Sequence, residues 1–144
     1  MLPLHGAAFL YGIDAITELL PKVKQVATFD SSFHQSMKKE AFLYAIPLDQ
    51  YEKHKIRRYG FHGTSHKYVA EEAAKMLGYK GKFISCHLGG GASVTAIENG
   101  RSVDTSMGFT PMAGMIMGTR CGDIDPYIPL HIMKTQNMTA DEVN

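Results

Sequence analysis

One stretch decides the fold class of this chain: Phe83-Ile84-Ser85-Cys86-His87-Leu88-Gly89-Gly90-Gly91-Ala92-Ser93-Val94-Thr95-Ala96-Ile97. Three consecutive glycines stand between two runs of β-prone residues, which predicts a strand, a turn and a second strand. Because glycine has no Cβ, such a turn can present bare backbone N–H groups to an anion such as phosphate. The alternative is an ordinary glycine-rich hairpin turn, and the glycines alone do not decide between the two.

The residues on either side extend this hairpin into an α/β unit. Asn99-Gly100 is a strong signal for a type I′ turn, so a third strand is predicted over Arg101–Met107. Before the hairpin, a helix is predicted to open at Thr64 or Ser65 and to end at Gly78. The predicted buried face of this helix consists of Tyr68, Val69, Ala73, Met76 and Leu77. A helix that feeds an antiparallel meander indicates an α/β fold with mixed strand directions.

Three further helices are predicted from periodicity and capping signals. The first covers Gly12–Leu20, where Pro21 stops it. In the second, Asp125 and Pro126 suit the N-cap and first helical positions. The third is announced by the capping box Thr139-Ala140-Asp141-Glu142, close to the last residue of the sequence.

Composition excludes several classes of protein. Of the 144 residues, 44% are hydrophobic and 20% charged, and the net charge of +1 gives no bias towards nucleic acid or anionic membranes. No apolar run approaches the roughly 18 residues that span a bilayer. The basic run Lys53–Arg58 is too short for a nucleic-acid patch and is interpreted as a solvated linker near a domain junction. The two cysteines, Cys86 and Cys121, favour a reducing compartment, so we expect a cytoplasmic protein.

Asp30 is the first candidate site residue. Gln25–Phe29 is predicted to be a buried strand, and Asp30 comes directly after its carboxyl end, where open α/β sheets place ligands. The alternative is that Asp30, with Ser31 and Ser32, caps the next short helix.

His62 is the second candidate. It stands between glycines in the turn before a predicted helix N-terminus, where an imidazole can meet an anion held by the helix dipole. The alternative is an ordinary loop histidine. His66 follows four residues later, but no Glu or Cys completes a zinc site with the two histidines, so metal binding is not expected here.

Arg120 is the third candidate. It lies between Gly118 and Gly122 in a segment too irregular for a helix, a setting in which a guanidinium can fork onto a carboxylate or a phosphoryl group. The alternative is a surface arginine paired with Asp123 or Asp125.

The hairpin resembles the second phosphate loop of the acetate and propionate kinases, which belong to the actin, sugar kinase and Hsp70 superfamily. Their signature is two apolar residues, His-x-Gly-x-Gly-x-Ser/Thr-apolar-x-small and a later glycine. The matching residues here are Phe83, Ile84, His87, Gly89, Gly91, Ser93, Val94, Thr95 and Gly100. Gly90 stands where many members carry Asn. The segments 25–37, 57–70, 83–100 and 118–126 resemble the family in the same order, so the resemblance covers essentially the whole chain.

This resemblance implies a partial actin-like ATPase (ribonuclease H-like) fold. Residues 1–40 would be the end of the N-terminal domain, and residues 41–144 would be the first part of the second domain, with its three-strand meander and flanking helices. We therefore expect the sequence to be a central part of a longer protein.

The resemblance also implies roles for individual residues. Asp30 matches the active-site aspartate of the family, and His62 and Arg120 match the histidine and arginine that stabilise the transition state. The ATP phosphate loop corresponds to His87, Leu88, Gly89, Gly90 and Gly91. His5 in Leu-Pro-Leu-His matches a histidine near the acetate site, although Gly6-Ala7 replaces the usual Asn-Pro after it.

The implied reaction is reversible transfer of the γ-phosphoryl group of ATP to acetate or another short carboxylate, giving an acyl phosphate and ADP. ATP or ADP and Mg²⁺ are the expected cofactors, and the direct Mg²⁺ ligands are expected outside residues 1–144. The full-length enzyme is expected to be a homodimer, without nucleic-acid or membrane partners. The chain alone is expected to be inactive, and the competing hypothesis is a non-catalytic module that binds phosphate or nucleotide weakly.

Overall fold

The computed structural model describes residues 6–143, in which a three-stranded sheet is covered on one face by helices. The helices are α1 (Gly6–Leu19), a 3₁₀ helix (Ser32–Ser36), α2 (Lys39–Phe42), α3 (Leu48–His54), α4 (Gly63–Leu77), α5 (Tyr127–Gln136) and α6 (Ala140–Val143). The strands are β1 (Lys82–Leu88), β2 (Ala92–Glu98) and β3 (Arg101–Thr105). The predicted α/β class is therefore confirmed.

The sheet is the antiparallel meander that the sequence predicted, in the order β1-β2-β3. Gly89-Gly90-Gly91 joins the first two strands. At the second turn Asn99 has φ 51° and Gly100 has φ 77°, the two positive values that a type I′ turn needs. The register places Ser85 opposite Thr95 and His87 opposite Ser93, so these four polar residues share one face of the sheet.

The covered face of this sheet is mostly polar. Ser93, Thr95 and Ser102 are completely buried, and Ser85 and Thr105 are nearly so. The opposite face is apolar and open, since Ile84 is 69% exposed and Leu88 is 71% exposed. The meander thus departs from the usual arrangement, in which the covered face of an antiparallel sheet is apolar, although Ile97 at one end of this face is also buried. Its buried hydroxyl groups are available to the helices above them.

The apolar core of the described residues lies beside this polar face. Met107 is fully buried and packs with Ala92 and Met117, against which Phe61 and Met115 also pack. Phe61 brings the turn before α4 to the base of the glycine hairpin. The Met115–Met117 segment brings Arg120 to the same place, so the core is what joins the distant parts of the site.

The predicted strand Gln25–Phe29 is wrong. These residues form neither strand nor helix, and Val26 is 88% exposed. A strand needs a neighbour for its backbone hydrogen bonds, and within residues 6–143 the sheet is built only from the segment Lys82–Thr105.

The predicted buried face of helix α4 is also wrong. Tyr68, Met76 and Leu77 are more than half exposed, whereas His66 is fully buried and Ala70 is 5% exposed. The helix therefore packs through a histidine, because the sheet beneath it is polar. Its N-cap is His62 rather than Thr64 or Ser65, and it ends at Gly78 as predicted.

The other predicted helices are confirmed, two of them with shifted starts. Helix α1 begins at Gly6, six residues before the predicted start. Helix α5 begins at Tyr127 with Pro126 in the N-cap position predicted for Asp125, and the N–H of Tyr127 donates to Asp125 Oδ1 at 2.9 Å. The capping box is complete, because Glu142 N–H donates to Thr139 Oγ1 while the Glu142 carboxylate accepts from Thr139 N–H at 2.8 Å. No helix within residues 6–143 combines the length and apolarity needed to cross a membrane.

Candidate active site

The turn before helix α4 is held by Asp30. Its carboxylate Oδ2 accepts the backbone N–H of His62 at 2.5 Å, and its carbonyl accepts the N–H of Gly63 at 2.8 Å. His62 has φ 56°, a left-handed conformation that a non-glycine residue adopts only when its surroundings hold it there. Asp30 therefore fixes the backbone of His62, and its side chain does not cap the 3₁₀ helix, whose N-cap is Ser31.

The imidazole of His62 lies against the base of the glycine hairpin. It stacks on His87 with ring centroids 4.0 Å apart and an interplanar angle of 22°. His87 is held in turn by Ser65, since His87 Nδ1 and Ser65 Oγ are 2.9 Å apart. Two imidazoles from separate elements, the start of α4 and the end of β1, thus meet beside the turn.

The glycine turn is open at its tip and crowded at its second strand. Gly89 N–H donates to the Gly91 carbonyl at 3.0 Å, whereas the N–H groups of Gly90 and Gly91 have no acceptor in the described part of the chain. A Cβ added at Gly90 would meet nothing within 4 Å. A Cβ added at Gly91 would lie 3.2 Å from both His62 Nε2 and Arg120 Nη1. Gly91 therefore marks the point where imidazole, guanidinium and backbone converge.

Arg120 reaches this point from a short loop closed by a β-bridge between Met117 and Arg120. Its Nη1 donates to the Pro111 carbonyl at 3.3 Å. The alternative pairing with Asp123 or Asp125 does not form. Asp123 accepts from Gly114 N–H and Asp125 from Tyr127 N–H, and Arg120 makes no ion pair within residues 6–143. Its charge is thus not neutralised by a carboxylate of the described chain.

A second layer of hydrogen bonds lies beneath His62, and sequence reasoning missed it. Ser93 Oγ is 2.9 Å from His62 Nδ1 and 2.7 Å from His66 Nε2, and His66 Nδ1 is 2.9 Å from Ser85 Oγ. His66 and Ser93 are both fully buried. The four-residue spacing of His62 and His66 was the available sequence signal for this layer. Within residues 6–143 no group of three His, Cys, Asp or Glu side chains is placed to hold a metal ion.

His34 supports the same turn from the 3₁₀ helix and was also missed. It is fully buried, with Nε2 2.9 Å from the Phe61 carbonyl and Nδ1 2.8 Å from Ser102 Oγ. Because a carbonyl can only accept, Nε2 of His34 carries the proton and Ser102 donates to Nδ1.

Burial lowers the pKa of these histidines. For His66 the pKa falls to about 4, chiefly through desolvation and then through the neighbouring histidines. Desolvation also lowers the pKa of His62, followed by the charge of His87, against an opposing effect of Asp30. The pKa of His34 falls for the same main reason. At pH 7 the three rings are neutral, so each has one N–H donor and one acceptor nitrogen.

The structure brings most of the predicted site residues together. Asp30, His62, His87, Gly91 and Arg120 meet at the base of the hairpin. The tip is formed by Gly89 and Gly90, while the side chain of Leu88 belongs to the exposed face of the sheet. His5 lies outside the described residues.

The fold and the site define a class: an α/β protein whose glycine hairpin is flanked by imidazole and guanidinium donors suited to a phosphoryl group. Residues 1–144 match the model of a family described as the Acetokinase family, and the chain belongs to that family. The hairpin resemblance therefore identified the family correctly.

Three relatives illustrate the match. The chain is 57% identical over 145 residues to a protein named acetate kinase from Dictyoglomus turgidum, covering 99% of this chain and 36% of the relative. It superposes on a crystal structure of Porphyromonas gingivalis acetate kinase with a TM-score of 0.91 and 46% identity, covering 98% of this chain and 36% of that one. A propionate kinase from Francisella tularensis gives a TM-score of 0.95 and 48% identity, with 98% and 37% covered. The chain thus spans about a third of the length of these relatives.

Proposed function

We propose that this chain supplies the phosphoryl-binding part of an acetate kinase-type enzyme. The reaction is reversible transfer of the γ-phosphoryl group of ATP to acetate or another short carboxylate, giving an acyl phosphate and ADP. The observation that carries the proposal is the convergence of His62 Nε2 and Arg120 Nη1 on Gly91. Because the chain spans 36% of its relative, the part described here is proposed to be inactive alone.

Negative charge is the main obstacle to this reaction. An alkyl carboxylate has a pKa of roughly 4 to 5, so the nucleophile is already ionised near neutral pH and needs no general base. In a loose in-line transition state, the equatorial oxygens of the transferring group instead need hydrogen-bond donors. We assign this role to His62 and Arg120, whose donor nitrogens both face the space above Gly91.

Asp30 acts on His62 rather than on a proton of the substrate. The 2.5 Å hydrogen bond from His62 N–H to its carboxylate supports a positioning role, since it holds His62 in its left-handed conformation. An outer-sphere role towards Mg²⁺, through water, is the other function that we propose for this carboxylate.

The phosphates of ATP are proposed to lie along His87–Gly91. This assignment is supported by the N–H groups of Gly90 and Gly91, which find no acceptor within residues 6–143, and by the open space at Gly90. When bound, Mg²⁺ would neutralise phosphate charge. The described residues contain no three-ligand cluster, and we place no direct Mg²⁺ ligand among them.

Four further assignments remain proposals. We propose a domain boundary between residues 40 and 41, a place for His5 near the carboxylate substrate, a homodimeric full-length enzyme and a cytoplasmic location. The boundary rests on the family resemblance alone, since the 3₁₀ helix Ser32–Ser36, which precedes it, is already bonded to Ser102 of β3 through His34 and Ser36.

The proposal is tested in a full-length frame. A chimera carries this chain in place of the matching third of the Dictyoglomus turgidum acetate kinase, and acyl phosphate is trapped with hydroxylamine in the presence of ATP, Mg²⁺ and acetate. We expect transfer by the chimera. We also expect a loss of about 10²- to 10³-fold in kcat for Arg120→Ala, as for removal of one transition-state donor.

The matched control is Arg101→Ala, which removes an exposed arginine at the β2–β3 turn and leaves kcat unchanged. A folded chimera without transfer that still binds ATP would favour the non-catalytic binding module. Full activity of Arg120→Ala would remove Arg120 from the mechanism.

A further inference from the structure

The hydrogen bonds beneath His62 form an unbranched chain of four groups. In order they are Ser85 Oγ, His66, Ser93 Oγ and His62 Nδ1, separated by 2.9, 2.7 and 2.9 Å. Each link joins a hydroxyl to an imidazole nitrogen, and either partner can donate. A neutral imidazole has one N–H donor and one acceptor nitrogen, so the direction of one link at His66 determines the other, whereas a hydroxyl can donate once and accept twice.

Ser93 cannot accept from both histidines without leaving its own buried hydroxyl hydrogen without an acceptor in the described part of the protein, so two directions remain. In the first, Ser85 donates to His66 Nδ1, His66 Nε2–H donates to Ser93, and Ser93 donates to His62 Nδ1. In the second, every donor is reversed, so His62 Nδ1–H donates to Ser93 and His66 Nδ1–H donates to Ser85. The directions differ in what remains at the two ends.

The Ser85 end of the chain distinguishes them. Ser85 is 6% exposed, and the described residues give its Oγ no hydrogen-bond partner except His66. In the second direction the Ser85 hydroxyl hydrogen would therefore be buried without an acceptor, which is costly, whereas a spare hydroxyl lone pair costs little. The first direction pairs every buried hydrogen of the chain.

We propose that Ser85, His66 and Ser93 direct this chain so that His62 accepts at Nδ1 and carries its proton on Nε2. This inference rests on the proposed function, because it says how a neutral His62 presents an N–H donor to the transferring phosphoryl group. His66 and Ser93 are then positioning residues that act through His62. In the reversed direction a neutral His62 would turn a lone pair towards the phosphoryl oxygens and repel them.

The arrangement at Gly91 agrees with this direction. His62 Nε2 and Arg120 Nη1 lie equally close to the Cβ position of Gly91, at 3.2 Å. Arg120 can only donate, and although its Nη1 donates to the Pro111 carbonyl and Met117 Sδ, its Nε and Nη2 have no acceptor in the described part of the protein, so this guanidinium and an Nε2–H on His62 can both donate to one anion.

Neutron diffraction of the deuterated chimera observes the protons directly. We expect deuterium on Nε2 and none on Nδ1 of both His62 and His66. His34 is an internal reference, because the Phe61 carbonyl already requires deuterium on its Nε2. Deuterium on Nδ1 of His62 or His66, or split between both nitrogens, would overturn the proposal, whatever the activity of the enzyme.

Kinetics of serine variants test the consequence for catalysis. Ser93→Ala removes the link that orients the His62 proton, and we expect kcat to fall about tenfold with little change in KM, the effect of one lost hydrogen bond. Ser93→Thr keeps the hydroxyl and is expected to recover most of kcat. The matched control is Ser102→Ala. It removes an equally buried serine–histidine hydrogen bond, the one to His34, which is not part of the series from Ser85 to His62.

The outcomes separate this inference from the proposed function. Equal effects of Ser93→Ala and Ser102→Ala on kcat would reduce Ser93 to a structural role and overturn the proposal. If the proton of His62 lies on Nδ1 while Arg120→Ala still shows its expected loss of kcat, the proposed direction of the hydrogen bonds is overturned and the kinase function stands. A chimera without transfer would refute the function, while the neutron maps would still decide the direction.

Discussion

The substitution Gly91→Ala, at the point where His62 and Arg120 meet, is expected to lower kcat with little change in the free energy of unfolding. The new methyl group would lie 3.2 Å from His62 Nε2 and 3.2 Å from Arg120 Nη1. Ordinary contacts to a Cβ are 3.4–4 Å, so both groups must withdraw by a few tenths of an ångström or more. The backbone itself tolerates the change, because Gly91 does not have a positive φ.

The expected magnitude follows from which atoms move. Both contacts are the ends of side chains rather than backbone, so the free energy of unfolding should change by less than about 1 kcal/mol. Both are also proposed donors to the phosphoryl group, and a displacement of about 1 Å can cost about 10²-fold in rate. We therefore expect kcat of the chimera to fall about 10- to 100-fold.

The measurement is the hydroxylamine-trapping rate, together with urea unfolding of each variant. Gly118→Ala is the matched control, because a Cβ there meets nothing within 4 Å and Gly118 lies only two residues from Arg120. It should retain kcat. Wild-type kcat in Gly91→Ala would show that His62 and Arg120 do not act above Gly91, and a large loss of stability would show that the methyl group strains the hairpin instead.

Three other predictions concern stability and pH. Since the pKa of His66 is about 4 in the folded protein and about 6.5 when unfolded, the unfolded state binds more protons between these values. Stability should thus fall by up to about 3 kcal/mol between pH 6.5 and pH 4, in urea unfolding, and His66→Gln but not His131→Gln should flatten this slope. Asp30→Asn keeps an acceptor for His62 N–H and should cost about 1 kcal/mol of stability, whereas Asp30→Ala should also lower kcat; an unchanged kcat in Asp30→Ala would contradict the positioning role. Gly60→Ala, where φ is 73° and a Cβ would lie 2.6 Å from His34, should cost more than about 3 kcal/mol, while Gly100→Ala, with open space at φ 77°, should cost about 1 kcal/mol in the same assay.

Local signals in the sequence predicted local structure well. Asn99-Gly100 specified its turn and Gly78 its helix end, because both depend on left-handed backbone conformations that few residues adopt. The capping box at Thr139 and Glu142 formed as predicted because its two partners are only three residues apart in the sequence. These features need no information from the rest of the chain.

Predictions that depended on distant partners were less successful. Gln25–Phe29 has the composition of a strand but no neighbour to pair with among the described residues. Asp30 was singled out for its place after that strand, and its observed partner is instead the backbone of His62, 32 residues away. The domain boundary and the roles of the site residues remain predictions.

By itself the sequence determined the meander, the glycine turn and the family, because strand alternation, turn residues and a spaced motif are properties of short segments. Only the tertiary structure decided that the covered face of the sheet is polar, and that His66 is buried on it. The same packing set His62 and Arg120 on either side of Gly91. Burial and hydrogen-bond direction depend on which elements meet, so they emerge only when the helices and the sheet are packed together.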